Sequence, residues 1–294
     1  MGMVLTLIAG VRGRSRLPHL VPKITATLGI RSEPNWLARG EACDLILEPA
    51  NQWRAEATAR ALTKDIAIDV LVQPVGGRRK QLLVADLEST MIENEMLDEL
   101  AERLGIRPRV AEITRRAMNG EIDFTTALKA RVALLKGADA QILEEAAARI
   151  QLMPGARSLI ATMRRAGAAT ALVSGGFMVF AERVGVALGL DRVVANRLDL
   201  MRGRIAGTVQ QPIVTAETKR DALLTLAAEF GITPAQTIAV GDGANDLPML
   251  EVAGLGVAFH PKPVVAESAR WRLDHADLTG LLYAQGYRKD DLIG

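Results

Sequence analysis

The sequence predicts an α/β chain in two parts: a small α+β domain of ferredoxin-like form over residues 1–77, then a doubly wound parallel sheet over 78–294 with a helical cap inserted after its first strand, at about 91–150. Three observations carry this expectation. Residues 1–75 read as strand, helix, two strands, helix, strand, the order that packs two helices on one face of an antiparallel sheet. From residue 82 onward short apolar runs alternate with helical patterns, as parallel sheets with crossover helices require. Three of those runs end in polar residues: Asp86 with Glu88, Ser174 with Gly175 and Gly176, and Asp242 with Asn245 and Asp246.

Residues 3–9, "MVLTLIA", form the first expected strand, and residues 17–28 an amphipathic helix. Two extended pieces over 35–47 flank the turn "ARGEA", a helix follows at 50–63 and a strand at 66–73. The segment "QPVGGRRKQ", with Pro74 and two glycines, reads as the linker and sets the boundary near residue 78. The strand "QLLVAD" opens the second part, and the Ala-, Leu-, Glu- and Arg-rich stretch after it reads as the helical insertion. Then come the strand "ATALVSGG", a helix through "FMVFAERVGVALG", the strand "TIAVGDG", a helix from "NDLPMLEVAG" and the strand "LGVAFHP".

A chain of 294 residues, 49% of them hydrophobic, is long enough for two cores. A net charge of +2 with 3% aromatic residues lacks both the basic excess and the stacking platforms of a nucleic-acid binder, so a small molecule is the expected partner. Arg12, Arg14, Arg16, Lys23 and Arg31 precede the first acid, Glu33, but the apolar run lies before them, the wrong order for a secretory signal. No apolar run reaches membrane length, so no membrane role is expected. The single cysteine, Cys43, can form no internal disulfide, which suits a reducing cytoplasm.

In an open parallel sheet, ligands bind at the carboxyl ends of the strands, so residues far apart in sequence converge there. Asp86, Glu88, Asp242 and Asp246 would then form a group of four acids whose repulsion calls for a cation. Hard oxygen ligands, with water or phosphate completing the shell, suit Mg²⁺. Ser174 offers a hydroxyl, Gly175 and Gly176 offer backbone N–H groups at a helix start, and Lys219 in "AETKRDALL" offers a positive charge. Singly, Ser174 reads as a loop residue and Lys219 as a solvated lysine. Jointly, with a carboxylate in line, these groups suit phosphoryl transfer through an aspartyl-phosphate.

The ordered motifs "DLEST", "VSGG", Lys219 and "GDGAND" resemble those of the haloacid dehalogenase superfamily of phosphatases. "STMIENEMLDELA", "MNGEIDFTTALKARVALLKG", "LVSGGF", "ANRL" and "IAVGDGAND", spread over about residues 82–285, are similar to signatures of its phosphoserine phosphatases. The resemblance implies a haloacid dehalogenase-like Rossmannoid core and hydrolysis of O-phospho-L-serine, the last step of L-serine synthesis. It makes Asp86 the nucleophile and a metal ligand, and gives position 88 the general acid/base and a backbone carbonyl for Mg²⁺. Asp242 completes the protein ligands and Asp246 supports them. Ser174 and Gly175 hold the phosphoryl group, Lys219 offsets its charge and Asn245 contacts it. In the cap, Glu95 meets the substrate ammonium and Arg131 its carboxylate, beside Phe124. Residues 1–75, through "WLARGEACDL", resemble a small regulatory domain of ACT type. Such domains bind amino acids or pair with one another, so scaffold and sensor are both open, and pairing would give a homodimer.

The chain departs from the family pattern at one place, where Glu88 stands for the second aspartate. The rival readings are a phosphatase of the same fold acting on another small phosphomonoester, and an amino-acid sensor whose catalytic half has decayed at position 88.

Overall fold

The computed structural model describes residues 2–294. Its first part contains β1 (Met3–Ala9), α1 (Leu17–Leu28), β2 (Asn35–Ala38), β3 (Ala42–Leu47), α2 (Gln52–Thr63) and β4 (Ile68–Pro74). β1 pairs antiparallel with both β3 and β4, giving the order β2-β3-β1-β4 and the expected ferredoxin-like arrangement. Met3, Leu5, Leu7 and Ala9 share a core with Leu17, Val21 and Ile24 of α1 and with Ala55 and Ala59 of α2. The opposite face is not solvated: Ile8, Leu37, Ala42 and Leu71 join the large core of the second part. A strand covered on both sides is buried along its length, and apart from Thr6, which donates to Asp44 Oδ1 at 2.7 Å, the side chains of "MVLTLIA" are apolar without alternation. Each such side chain contributes roughly 1.5–3 kcal/mol by leaving water.

The stretch expected to be a linker is firmly held. Arg78 forks onto Asp44, Nη1 to Oδ2 at 2.7 Å and Nη2 to Oδ1 at 3.1 Å, and also donates to Thr6 Oγ1 and to the carbonyls of Tyr283 and Ala284. Buried Asp69 accepts hydrogen bonds from the N–H groups of Asp274, His275 and Ala276, and Trp271 Nε1 donates to Val72 O. The Arg78 side chain thus ties the linker stretch to β3 and to residues 283–284, while residues 74–77 stay exposed.

The second part runs β5 (Leu82–Ala85), α3 (Met96–Arg103), α4 (Arg107–Met118), α5 (Phe124–Ala133), α6 (Gln141–Ala147), α7 (Ala156–Arg165), β6 (Ala169–Phe177), α8 (Met178–Leu188) and β7 (Arg192–Asn196). It continues through β8 (Leu198–Met201), β9 (Arg204–Val209), α9 (Ala216–Glu229), β10 (Thr237–Gly241), α10 (Leu247–Val252), β11 (Leu255–Phe259), α11 (Pro263–Ser268), β12 (Trp271–Leu273) and α12 (Gly280–Ala284). Six strands lie parallel in the order β12-β11-β10-β5-β6-β7. The chain leaves β5 toward β6 and β7, then returns on the other side through β10, β11 and β12. The topological switch therefore lies between β5 and β10, and a crevice opens at their carboxyl ends.

The helical insertion expected over 91–150 is four helices, α3 to α6, and it is only part of the cap. The antiparallel β8–β9 hairpin docks on it, with Gly137 N donating to Ile205 O and Ile205 N to Ala138 O, both at 2.9 Å. Among the described residues no helix is long and apolar enough to cross a membrane.

Candidate active site

Asp86 follows β5 directly, and its N–H donates to Val240 O at 3.0 Å, which locks it beside the end of β10. Asp242 follows β10, and Asp246 sits one short turn further on. One carboxylate oxygen from each of these three lies within 4.8 Å of the others, and all three residues are buried. Glycine is required at position 241, since a Cβ there would overlap the Asp246 carboxyl group.

Thr215 caps α9 by accepting from Thr218 N, which sets Lys219 in the first turn and points it inward. The lysine is fully buried, not solvated as its sequence context alone suggests. Its Nζ lies 2.7 Å from Asp86 Oδ1 and 2.7 Å from Asp246 Oδ1. The contact to Asp246 is a hydrogen bond. Asp86 Oδ1 meets the same ammonium as a buried ion pair. Burial opposes the charge on Lys219, but Asp246 and Asp86 outweigh it and hold its pKa above the usual value.

Glu88 does not join the acids. The expected group of four holds three, because the longer side chain turns toward the cap: Oε1 accepts from Met96 N at 2.9 Å. A Cβ on Gly176 would lie 3.1 Å from Glu88 Oε2 and 3.2 Å from Ser174 Oγ, so these two side chains converge on that glycine. Burial first, and then the charge of Glu95, push the Glu88 carboxyl up to about 8, against the Met96 N–H and Arg131. The group is thus inclined to carry a proton at neutral pH.

Ser174 is buried and its Oγ accepts from Gly176 N at 2.9 Å. Gly175 and Gly176 lie within β6, ahead of α8, rather than at the helix start the sequence suggests. Gly175 leaves room for the cap, since a Cβ there would come within 3.1 Å of Phe124 Cζ. Asp123 caps α5 and so fixes where Phe124 and Arg131 project. Arg131 is half-buried; burial lowers its pKa against the charges of Glu88, Asp98 and Glu95, which identifies the three acids it faces. Glu95 stands at the start of α3 and accepts from Ser89 Oγ at 2.8 Å. Ser89 itself has φ 53, a left-handed strain in the turn that joins Asp86 to the cap. Asn245 is half-buried in the turn between Asp242 and Asp246.

Two residues with clear positions here are not singled out by the sequence reading. Asn196 donates to Gly175 O at 2.7 Å and accepts from Val214 N at 2.8 Å, bracing the glycine strand end. Lys262 Nζ lies 2.9 Å from Asp242 Oδ2. Each carries a signal: Asn196 ends a strand in "ANRL", and Lys262 follows a strand end between two prolines.

Three buried carboxylates with an oxygen each inside one 4.8 Å cluster form a hard-oxygen donor set that fits a small divalent cation. A carboxylate beside a buried ammonium, a buried hydroxyl and a proton-bearing carboxyl complete a set able to move a phosphoryl group.

Comparison with known proteins agrees with this geometry. Residues 83–251 match the haloacid dehalogenase-like hydrolase family model. The chain is 42% identical over 237 residues to phosphoserine phosphatase SerB2 of Mycobacterium tuberculosis, covering 79% of this chain but only 58% of that protein's length. Among solved structures, a HAD family hydrolase of Salmonella enterica subsp. enterica serovar Typhi superposes with a TM-score of 0.86 at 28% identity, covering 96% of this chain and 98% of that one. A phosphoserine phosphatase solved as a phospho-aspartyl intermediate analogue superposes with a TM-score of 0.66 at 37% identity over 70% of this chain and 98% of that one. Sheet order, acid cluster and these likenesses agree, and the chain belongs to the haloacid dehalogenase-like hydrolase family.

Proposed function

We propose that the chain is a cytoplasmic, Mg²⁺-dependent phosphoserine phosphatase that hydrolyses O-phospho-L-serine to L-serine and phosphate, the last step of L-serine synthesis. The observation that carries this reading is the convergence of Asp86, Lys219, Asp242 and Asp246 under a cap whose Glu95 and Arg131 face the same crevice. A zwitterionic amino acid calls for one acid and one forked donor set apart, and Glu95 and Arg131 supply that pair. The phosphoserine phosphatases among the similar proteins support the choice of substrate.

In this reading the Asp86 carboxylate attacks phosphorus and the bond to the serine oxygen breaks. Glu88 gives its proton to that oxygen, and L-serine leaves. Glu88 then takes a proton from water, which attacks the aspartyl-phosphate, freeing phosphate and restoring Asp86. Ser174 and Gly175 hold the phosphoryl oxygens, with Asn245 beside them, while Lys219 offsets their charge. Phe124 packs over the glycine. Mg²⁺, held by Asp86, Asp242 and the backbone carbonyl at position 88, would supply further positive charge to the phosphoryl oxygens; Asp246 supports that set through Lys219. Residues 1–77 are, in this reading, an ACT-like domain with a regulatory or scaffold role.

The test is phosphate release from a panel of phosphomonoesters, with Mg²⁺ and with excess chelator, by the natural protein and Asp86→Asn. Turnover of phosphoserine should need the metal, return when it is restored, and vanish in the variant. Full activity in either Asp86→Asn or chelator would sink the mechanism. Faster turnover of a phosphomonoester lacking the amino-acid groups would replace the substrate.

A further inference from the structure

Lys262 lies outside every motif that carries the resemblance, yet it touches both ends of the proposed site. It follows β11 and stands between Pro261 and Pro263, at the start of α11, with φ −60 and ψ 150. The proline after it restricts the backbone to this extended form. Its N–H donates to Asp242 O at 3.1 Å, and its Nζ lies 2.9 Å from Asp242 Oδ2. Two ties to one residue, one from the backbone and one from the side chain, fix the carboxylate as a single tie could not. The same Nζ is 3.7 Å from Glu95 Oε1.

The arm that carries Lys262 is strained and over-determined. His260 has φ 41, a costly conformation for a residue with a side chain. It is held there by His260 N to Leu273 O at 2.8 Å, by Nε2 against Ala276 O at 2.9 Å, and by stacking on Phe259 with ring centroids 4.0 Å apart. The loop at Ala276 is in turn gripped by Asp69 of the small sheet. Stored strain supported from several sides marks a position whose geometry matters.

We infer that Lys262 is a positioning residue that aims the Asp242 carboxylate at the divalent cation and, through the same ammonium group, holds Glu95 where it receives the substrate ammonium. The inference rests on the phosphatase reading above and assigns two tasks to one side chain.

Two effects oppose each other when the lysine is removed. Losing a positive charge next to Asp242 favours a cation, but the Lys262 side chain is 55% exposed, so its charge is screened. At 4 Å in water a unit charge changes the affinity of a divalent ion by about thirtyfold, and physiological salt screens this toward about tenfold. Losing the group that orients a ligating side chain typically costs about 10–100-fold in metal affinity. Orientation wins.

The experiment uses the full chain with Lys262→Met and Lys262→Arg. Mg²⁺ affinity is read by calorimetry without substrate, and kcat and KM for phosphoserine are read at saturating Mg²⁺. Lys262→Met should bind Mg²⁺ up to about tenfold more weakly, the orientation loss less the charge gain, with Lys262→Arg recovering most of the loss and both keeping the natural thermal midpoint. At saturating metal, KM for phosphoserine should rise in Lys262→Met while inhibition by 3-phosphoglycerate, which has a hydroxyl in place of the ammonium, stays unchanged. Unchanged or tighter Mg²⁺ binding in Lys262→Met, or no recovery with arginine, overturns the inference and leaves the phosphatase reading standing. A natural protein that neither binds Mg²⁺ nor hydrolyses phosphoserine overturns both.

Discussion

Glu88 Oε1 accepts a hydrogen bond from the backbone N–H of Met96 at 2.9 Å, so the acid two residues beyond Asp86 reaches into the first turn of the cap. An aspartate at this position is one methylene shorter and would not span that distance from the same backbone. Glu88→Gln should lower kcat by roughly 10²–10⁴-fold, the usual worth of a positioned proton donor, with Mg²⁺ affinity unchanged. Glu88→Asp should stay active and lose less than the glutamine variant, while losing about 1 kcal/mol of stability with the Met96 bond. Steady-state kcat on phosphoserine and thermal melts of the three proteins check both statements. A glutamine variant as fast as the natural protein would remove Glu88 from proton transfer and favour the decayed-sensor reading.

Arg131 faces Glu88, Asp98 and Glu95 from α5, half-buried and without a carboxylate hydrogen bond among the described residues. Its forked donors are therefore available to a substrate carboxylate. Arg131→Ala should reduce kcat/KM for phosphoserine roughly 10–100-fold more than for phosphoethanolamine, which lacks that group. The loss of a neighbouring charge at Glu88 affects both substrates alike and cancels in the ratio. Equal losses would mean that the arginine does not receive the carboxylate.

Glu41 ties the small sheet to the last helix. Tyr283 Oη donates to it at 2.9 Å, Lys289 lies at 3.1 Å and Arg14 at 3.6 Å. Burial acts to raise its pKa, but Lys289, Tyr283 and Arg14 outweigh it and hold the carboxyl below the usual value. A lowered carboxyl pKa contributes stability above the unfolded value and loses it as pH falls through the folded one. Glu41→Gln should therefore cost on the order of 1 kcal/mol near neutrality, modest because its cationic partners are solvated. Denaturant melts across pH should show the gap between the two proteins closing as acid takes the pH below about 4.5, the ordinary glutamate value. A gap that persists unchanged into acid would assign the contact to packing rather than charge.

Much of the site is legible because strand ends in a parallel sheet have only one place to go. Asp86 and Asp242 are each read from an apolar run that stops at an acid, Asp246 from the loop "GDGAND" that follows, and the sheet order brings them together. Lys219 is legible only in company: nothing in "AETKRDALL" says which face of the helix turns inward. The direction of Glu88 is not legible, because one methylene decides between the acid cluster and the cap. The β8–β9 hairpin escapes because "LDLMRGRIAGTV" alternates too weakly for a strand pair with a half-solvated face. Arg78 looks like a polar spacer between glycines and basic residues, and only its distant partner Asp44 reveals it as a strut. The covered second face of the small sheet did leave a trace, in β1, where Thr6 is the one polar residue among seven.

That covered face has a consequence for synthesis. The residues that close it, Trp271, the N–H groups of 274–276, Tyr283 and Ala284, leave the ribosome long after β4. At about 5–20 residues per second, β1 to β4 would wait roughly 10–40 s with Ile8, Leu37 and Leu71 uncovered. The amino-terminal sheet can acquire its strand order early, but it becomes a finished surface only when the carboxyl-terminal segment arrives. Nascent chains stalled before residue 271 should therefore bind chaperones through this sheet and release them once α12 has emerged.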